Sequence, residues 1–403
     1  MKKPSLLIIF LTVFIDLIGF GIVLPLLPIY SKNFGAHGLM IGAIMAAYSL
    51  MQFIFAPIWG RLSDRIGRRP VLLMSTAGAA VSYAIFAYGS SLEGTTALVT
   101  LLVARLVAGV CGGNITVAQA YIADITRPEE RSAKMSLIGM AFGLGFIFGP
   151  VLGGFGVQFF GVMGPGWIAS GLCAFNFILA LSILPESLKP GSHTVTQRPR
   201  VVQFLHTMRH PQLGLMVGVF FLATFCFACF ETTIGLLVSQ NFHLNLLERK
   251  DARTIALLIA YCGIIGAIVQ GGMVGRLVKT MGEPRLIAFS LLLAAIGLGI
   301  IPFLQSWGVM LAGLGIFAVG SSLTRPPVFG LISMLAPQNE QGATIGVAQS
   351  AGSLARILGP FFAGGFFEIR PALPYLVCSG ITLLTAFLCW RLLCGRPIPQ
   401  TVP

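Results

Sequence analysis

Twelve apolar runs, each near the length of one membrane crossing, fill this chain and leave only short polar gaps. They cover about 5–30, 39–60, 70–91, 96–121, 133–157, 164–186, 212–240, 253–275, 284–304, 308–333, 342–366 and 371–394. A helix rises about 1.5 Å per residue and needs roughly 20 apolar residues to span the hydrocarbon core, where backbone polar groups must be satisfied internally. The runs therefore predict an all-α polytopic membrane protein with twelve transmembrane helices. Only 10% of the residues are charged, against about 25% in a soluble domain. The net charge of +13 raises the question of nucleic acid, but the basic residues sit in the gaps and form no continuous face. The expected partner is the lipid bilayer, not nucleic acid. The first run follows Lys2 and Lys3 as a signal peptide would. It is too long for one, carries Asp16 and lacks a small-residue cleavage site, so it reads as a helix.

Orientation follows from lysine and arginine placement. With the N-terminus inside, eighteen basic residues fall on the cytoplasmic side: Lys2, Lys3, Arg61, Arg65, Arg68, Arg69, Arg127, Arg131, Lys134, Lys189, Arg198, Arg200, Arg209, Arg276, Lys279, Arg285, Arg391 and Arg396. Five fall outside: Lys32, Arg249, Lys250, Arg253 and Arg370. Both termini are expected in the cytoplasm, and an even number of spans agrees. The longest polar gap, 187–211, divides the chain into six helices (1–186), a linker (187–211) and six helices (212–403).

The halves repeat one another. "FGPVLGGF" at 148–155 matches "LGPFFAGGF" at 358–366, which sets Gly149-Pro150 over Gly359-Pro360. "GRLSDRIGRRP" at 60–70 matches "GRLVKTMGEPR" at 275–285, with Lys279 in the place of Asp64. Duplicated six-helix halves are a transporter plan whose binding site lies near the midplane between the repeats.

These residues resemble the major facilitator superfamily. Gly60–Arg69 is similar to its loop 2–3 signature, G-x-L-x-D-R-x-G-R-R, and Arg105 in "LLVARLVAGVCGG" to its fourth-helix R-x-x-x-G. "GMAFGLGFIFGPVLGG" at 139–154 resembles the fifth-helix signature of the antiporter branch. "AYIADIT", "LPES", "FETT" and "SLARILGP" further resemble drug:proton antiporters of the tetracycline-efflux type. The resemblance implies two pseudo-symmetric six-helix bundles working by alternating access, as a proton-coupled efflux antiporter of amphipathic small molecules in a bacterial inner membrane. A monomer with protons as coupling ion and no cofactor is expected. A metabolite or organic-anion uniporter or symporter is the alternative, and a non-transporting receptor on this scaffold is a third reading.

Candidate residues fall into three groups. Five charges stand well inside apolar spans: Asp16, Arg105, Glu231, Arg325 and Arg356. Each costs at least about 2.5–3.5 kcal/mol at mid-bilayer unless it has a partner or a wet cavity. Asp16 and Arg105 enter from opposite faces to similar depth, so a pair is expected that alternates as Asp16 takes up a proton. Glu231, in "FCFACFETTIGLL", is the strongest single candidate for a carboxyl contested by proton and substrate. Arg325 precedes Pro326-Pro327 and Arg356 precedes Gly359-Pro360, where broken helices would free carbonyls for a guanidinium. Arginines outnumber acids here by one, which keeps an anionic substrate open. Tyr48, Gln52, Asn114, Gln119, Phe227, Tyr261, Gln270 and Gln349 are candidate cavity residues.

The third group is gate and hinge: Gly60, Asp64, Arg65, Gly67, Arg68 and Arg69 in the loop 2–3 turn, then Gly145, Gly149, Pro150, Gly153, Gly154, Gly359 and Pro360. Small residues at spacings near four let helices approach closely. They are expected to hinge the halves and seal them together. Asp64 is expected to accept from a helix N-terminus or an arginine of the opposite half and so latch one state.

Nothing points to catalysis. There is no phosphate-cradling G-x-x-x-x-G-K-[ST] and no metal-ligand spacing. Cys226 and Cys229 form a CxxC inside a phenylalanine-rich helix, where packing is the better reading. The histidines 37, 193, 206, 210 and 243 sit in loops or at helix ends.

Overall fold

In the computed structural model, residues 5–36, 38–188, 200–244, 249–337 and 340–393 are described. Lys2, Lys3, His37, Lys189, His193, Arg198, Cys394 and Arg396 lie outside them, as does 189–199 of the linker. The first half contains α1 (Leu6–Val23), α2 (Leu26–Asn33), α3 (Gly38–Ile66), α4 (Arg68–Gly89), α5 (Gly94–Cys111), α6 (Asn114–Ile125), α7 (Arg131–Phe160) and α8 (Gly164–Ile183). Next comes α9 (Arg200–Arg209), in the gap between the halves. The second half contains α10 (Pro211–Asn241), α11 (Arg249–Ile268), α12 (Val274–Met281), α13 (Glu283–Ile300), α14 (Trp307–Leu335), α15 (Gln341–Ile369) and α16 (Leu373–Leu393).

These form twelve crossings because three crossings are built from two helices each: α1 with α2, α5 with α6, and α11 with α12. Among the described residues, ten helical segments are long and apolar enough to cross. One of them, Pro128–Ile183, contains both α7 and α8, parted by a turn at Gly161–Met163. The crossing outside these ten is α15, the run 342–366, whose first ten residues are all buried and include Gln341, Thr344, Gln349 and Ser350. A helix wrapped on all sides by protein can carry polar groups that lipid would not accept.

Within the first half, α1 packs on α7 and α8, α4 on α5 and α8, and α3 on α5. The second half repeats this: α10 packs on α15 and α16, and α13 on α14 and α16. Across the halves, α3 meets α15, α7 meets α11 and α14, and α6 meets α15.

The breaks fall where residues permit them. Gly67 (φ 102°) starts α4 and Gly282 (φ 75°) starts α13, at matching positions of the repeat. That left-handed region is one side chains rarely enter, so both copies keep glycine. The α5–α6 break frees carbonyls at Val110, Cys111 and Gly112. Trp59 Nε1 (2.5 Å), Ser75 Oγ and Gln52 Nε2 (3.3 Å) donate to them in that order. Such repair by neighbours is what makes a broken helix tolerable at membrane depth.

Two expectations about elements are corrected. The loop 2–3 stretch is mostly helical: Gly60, Asp64 and Arg65 lie on the last turns of α3, and Arg68 and Arg69 open α4. Charged residues beyond the hydrocarbon edge still continue a helix, so the loss of hydrophobicity after residue 60 did not end it. Second, α14 runs unbroken through Pro326 and Pro327.

Candidate functional site

A narrow cleft lies on the inner face of the first half against Arg356 of the second, lined by Asp16, Phe20, Tyr48, Gln52, Asn114, Phe142 and Arg356 among others. Three of the expected cavity residues, Tyr48, Gln52 and Asn114, are therefore placed there. Arg356 is the charged residue that the second half contributes. Beside this cleft, towards the Asp64 end, is a smaller one. Its lining includes Gln119, Gln270, Arg325 and Gln349.

Asp16 is buried on α1 and accepts two amide hydrogens, from Asn114 Nδ2 (2.7 Å) and Asn176 Nδ2 (2.8 Å). Each asparagine has its orientation fixed. Asn114 Oδ1 accepts from the Ile115 amide, and Asn176 Nδ2 also donates to the Thr12 carbonyl. Two fixed donors suit a carboxylate anion. The expected Asp16–Arg105 pair is not formed. Arg105 instead sets its guanidinium 4.7 Å from the Tyr48 ring centre and 5.8 Å from that of Phe20. Aromatic faces stabilise a cation without consuming its charge. Helix depth brings both residues to the midplane but does not set rotation about the helix axis, and rotation decided the partners.

Among the described residues, the Nε atoms of Arg105 and Arg356 are buried without a hydrogen-bond partner. Arg325 meets rings rather than freed carbonyls, at 5.5 Å from Phe142 and 5.2 Å from Phe220. Because α14 is not broken at its prolines, the carbonyls expected for Arg325 are not released there. Glu231 is exposed on α10 and makes no hydrogen bond or ion pair among the described residues. It does not line either cleft. Phe227, one turn away, stacks on Phe317, and the Tyr261 hydroxyl donates to the Leu311 carbonyl (3.2 Å). Neither lines a cleft.

At the end where α3 stops and α15 starts, Asp64 joins the halves. Its Oδ1 accepts from the Gly342 amide (3.0 Å) and its Oδ2 from the Ala343 amide (2.8 Å). A carboxylate on a helix N-terminus meets unsatisfied N–H groups and the positive end of the dipole. Arg68, fully buried, binds Asp64 (2.5 Å), Ser63 (2.7 Å) and Asp124 (3.0 Å). Of the two acceptor relationships expected for Asp64, the helix N-terminus is across the halves and the arginine is in its own half. Gly60 permits this closure, since a Cβ there would stand 2.0 Å from the Gly342 carbonyl oxygen. Glu186 accepts from the Arg68 and Arg69 amides (2.9 and 3.1 Å) and covers Gly67, while Arg69 Nη2 donates to the Leu181 carbonyl (2.7 Å). Arg65 is exposed.

Closure continues inward to mid-membrane. Gln349 donates to Gln119 (2.9 Å), Ser350 to the Phe53 carbonyl (2.6 Å) and Ser353 to Gln52 (3.0 Å). The second copy of the motif closes differently. Lys279 is exposed, and Glu283 accepts from Ser132 of α7 (3.1 Å) while Arg131 donates to the Ser333 carbonyl (2.8 Å).

The fifth-helix glycines divide by partner. Gly139 and Gly143 face the other half, at Gln270 and at Gly263 with Ala267. Gly145, Gly149 and Gly153 face α1 of their own half, at Leu17, Gly21 and Ile22, and Gly154 faces open space. The expected seal between halves is thus corrected for Gly145, Gly149, Gly153 and Gly154: consecutive turns of a continuous helix present different faces. Gly359 likewise packs on Ala228 and Phe225 of α10. Gly149-Pro150 against the first crossing and Gly359-Pro360 against the seventh are the same contact made twice, one per repeat. Pro150 and Pro360 lie inside continuous helices. Cys226 and Cys229 pack on the Cys378 and Gly359 carbonyls (3.7 and 3.4 Å).

Asn176, Asp124 and Glu186 join the candidate residues only through the structure. Asn176 carried the same signal as Asn114, an amide inside an apolar run. Asp124 and Glu186 sat within quoted motifs, but nothing in one dimension says that both converge on Arg68.

The family model described as Major Facilitator Superfamily matches residues 9–360 and 271–403. The tetracycline resistance protein, class E, of Escherichia coli is 33% identical, covering 86% of this chain and 84% of its own. Multidrug resistance protein 2 of Bacillus subtilis (strain 168) is 27% identical, covering 95% and 94%. The crystal structure of the human organic anion transporter MFSD10 (TETRAN) superposes with a TM-score of 0.84 at 26% identity, over 96% of this chain and 100% of that one. With its twelve crossings, its repeated helix contacts and its cleft between the halves, this chain is a multi-pass membrane transporter and belongs to the major facilitator superfamily.

Proposed function

We propose that this transporter is a proton-coupled antiporter that exports amphipathic small molecules by alternating access. The observation that carries the reading is the composition of the central cleft: aromatic rings, amides and one carboxylate from the first half and one arginine from the second. Rings and amides accept varied amphipathic molecules, and the carboxylate gives a proton a place to bind on each cycle. In this reading residues 1–186 and 212–403 are bundles that rock about the cleft, joined by the linker 187–211. Both termini are cytoplasmic, in the inner membrane of a bacterium, and the protein acts as a monomer. Closure at the Asp64 end, the cytoplasmic one in this reading, corresponds to an outward-facing state. Asp16 becomes the leading proton carrier and Glu231 the second candidate, because Asp16 lies in the cleft and Glu231 does not.

One observation favours a second reading, uniport or symport of an organic anion. Among the described residues neither Arg105 nor Arg356 forms a salt bridge, although Glu231 lies within electrostatic reach of Arg356, and a structural relative, human MFSD10, is an organic anion transporter.

Reconstitution into liposomes under an imposed pH gradient separates the two. Substrate-triggered proton release supports antiport, and proton-independent or co-directional flux supports the second reading. Asp16→Asn is expected to abolish proton-driven accumulation while leaving substrate exchange at equal pH intact. Retained pH-driven transport in that variant removes Asp16 as carrier, and the same assay on Glu231→Gln tests the other acid. For an anionic substrate, Arg356→Gln is expected to weaken binding about 10- to 150-fold, the worth of one hydrogen bond to a charged group. Unchanged affinity by calorimetry would show that Arg356 does not hold the substrate.

A further inference from the structure

The helix α9, in the gap between the halves, is amphipathic in the reverse of the usual sense. Its polar residues Gln203 and Thr207 are buried, while Val202, Phe204, Leu205 and Met208 are each about two-fifths exposed or more. At about 100° per residue Phe204, Met208 and Leu205 form one apolar stripe bordered by Arg209, and Val202 lies beyond it between Arg209 and His206, which are also exposed. A soluble helix would turn this stripe inward. Here the inward face carries one polar contact to the second half, Gln203 Nε2 donating to Glu340 Oε2 (3.3 Å).

Position decides what the stripe meets. His210 is extended (φ −71°, ψ 114°), so the chain turns between α9 and the crossing helix α10. The Met208 carbonyl lies over Gly214 of α10, where a Cβ would stand 2.5 Å away, so α9 is folded against the start of a membrane crossing. Exposed Phe387, Leu388, Trp390 and Leu392 of α16 mark the lipid-facing surface at the same end of the bundle. An apolar stripe with a basic edge at that level fits the interfacial layer of a bilayer, and basic side chains fit anionic headgroups.

We propose that α9 is an in-plane helix seated in anionic phospholipid of the cytoplasmic leaflet, and that it steadies the gate end of α15 through Gln203 and Glu340. Glu340 stands at the N-terminal boundary of α15, directly before Gln341 and Gly342, and Asp64 holds the Gly342 amide. The linker would then tie lipid composition to closure. This rests on the orientation given above.

The test uses the full chain with Phe204→Trp, reconstituted in phosphatidylcholine with or without phosphatidylglycerol. The emission of the four native tryptophans is subtracted using the unsubstituted chain. Brominated lipid is expected to quench the added emission, and aqueous iodide is not. Quenching by iodide alone shows a water-facing or protein-binding surface, and quenching by neither shows a stripe covered by the chain itself. Either result overturns the proposal. Adding Arg209→Gln is expected to lower the preference for brominated phosphatidylglycerol over brominated phosphatidylcholine about fivefold, the worth of one basic residue at an anionic surface. An unchanged preference removes the anionic requirement. Hydrogen exchange at Gly342 and Ala343 is expected to slow with phosphatidylglycerol, and Gln203→Ala to erase that difference. Exchange indifferent to lipid overturns the link to the gate. No readout requires a substrate, so failure here is distinct from failure of the transport assignment.

Discussion

Asp64→Asn is expected to slow transport about 30- to 150-fold, while Lys279→Ala stays within about twofold. Only interactions present in one state and absent from another bias the cycle. The Asp64–Arg68 pair lies within one half and can persist throughout. The bonds to the Gly342 and Ala343 amides cross between halves and must break when this end opens. Each charge-assisted bond is worth about 1.5–3 kcal/mol, and asparagine keeps one oxygen to accept one of them. The loss of about 2–3 kcal/mol from the closed state gives the stated factor. Initial rates in proteoliposomes check it, together with thiol labelling of the cleft from either side. Equal and mild effects of the two substitutions would reduce the loop 2–3 charges to a topology signal. Lys279 serves as the control because it is exposed and Glu283 makes the corresponding cross-half contact.

Gly149→Leu is expected to abolish transport and to destabilise the first half by about 3 kcal/mol or more, whereas Gly154→Leu is expected to change stability by less than about 0.5 kcal/mol. A Cβ on Gly149 would stand 2.3 Å from the carbonyl carbon and 2.6 Å from Cα of Gly21, which are backbone atoms and cannot rotate away. Gly154 meets nothing within 4 Å. Both lie on α7 within one and a half turns, so lipid insertion and helix propensity are matched between them. Membrane abundance, thermal unfolding in detergent and transport distinguish the outcomes. If the two variants behave alike, the α1–α7 crossing does not need its close backbone approach.

Physical reasons separate what was legible in the chain from what was not. Each crossing of the membrane leaves a mark in one dimension, because lipid imposes the length and polarity of every span. The repeat was legible for a similar reason: Gly67 and Gly282 share a backbone conformation closed to other residues, and each Gly-Pro pair admits a neighbouring helix. Asp16, Arg356, Tyr48, Gln52 and Asn114 stood out because a polar side chain in an apolar run must have a partner or a cavity. Partner choice was not legible. Depth along a helix follows from counting, but which of Arg105, Asn114 and Asn176 reaches Asp16 depends on helix rotation and on the crossings chosen by glycines far away.

The amino-acid order by itself determined the solvent of this protein, its twelve crossings and the duplicated plan, since those follow from transfer free energies summed over each span. Tertiary structure alone decided that Asp64 sits on the α15 amides, that Arg105 faces rings instead of a carboxylate, and that the glycines of α7 serve two different neighbours. Each of these is a contact between residues distant in sequence, set by angles of rotation and crossing that no local pattern encodes.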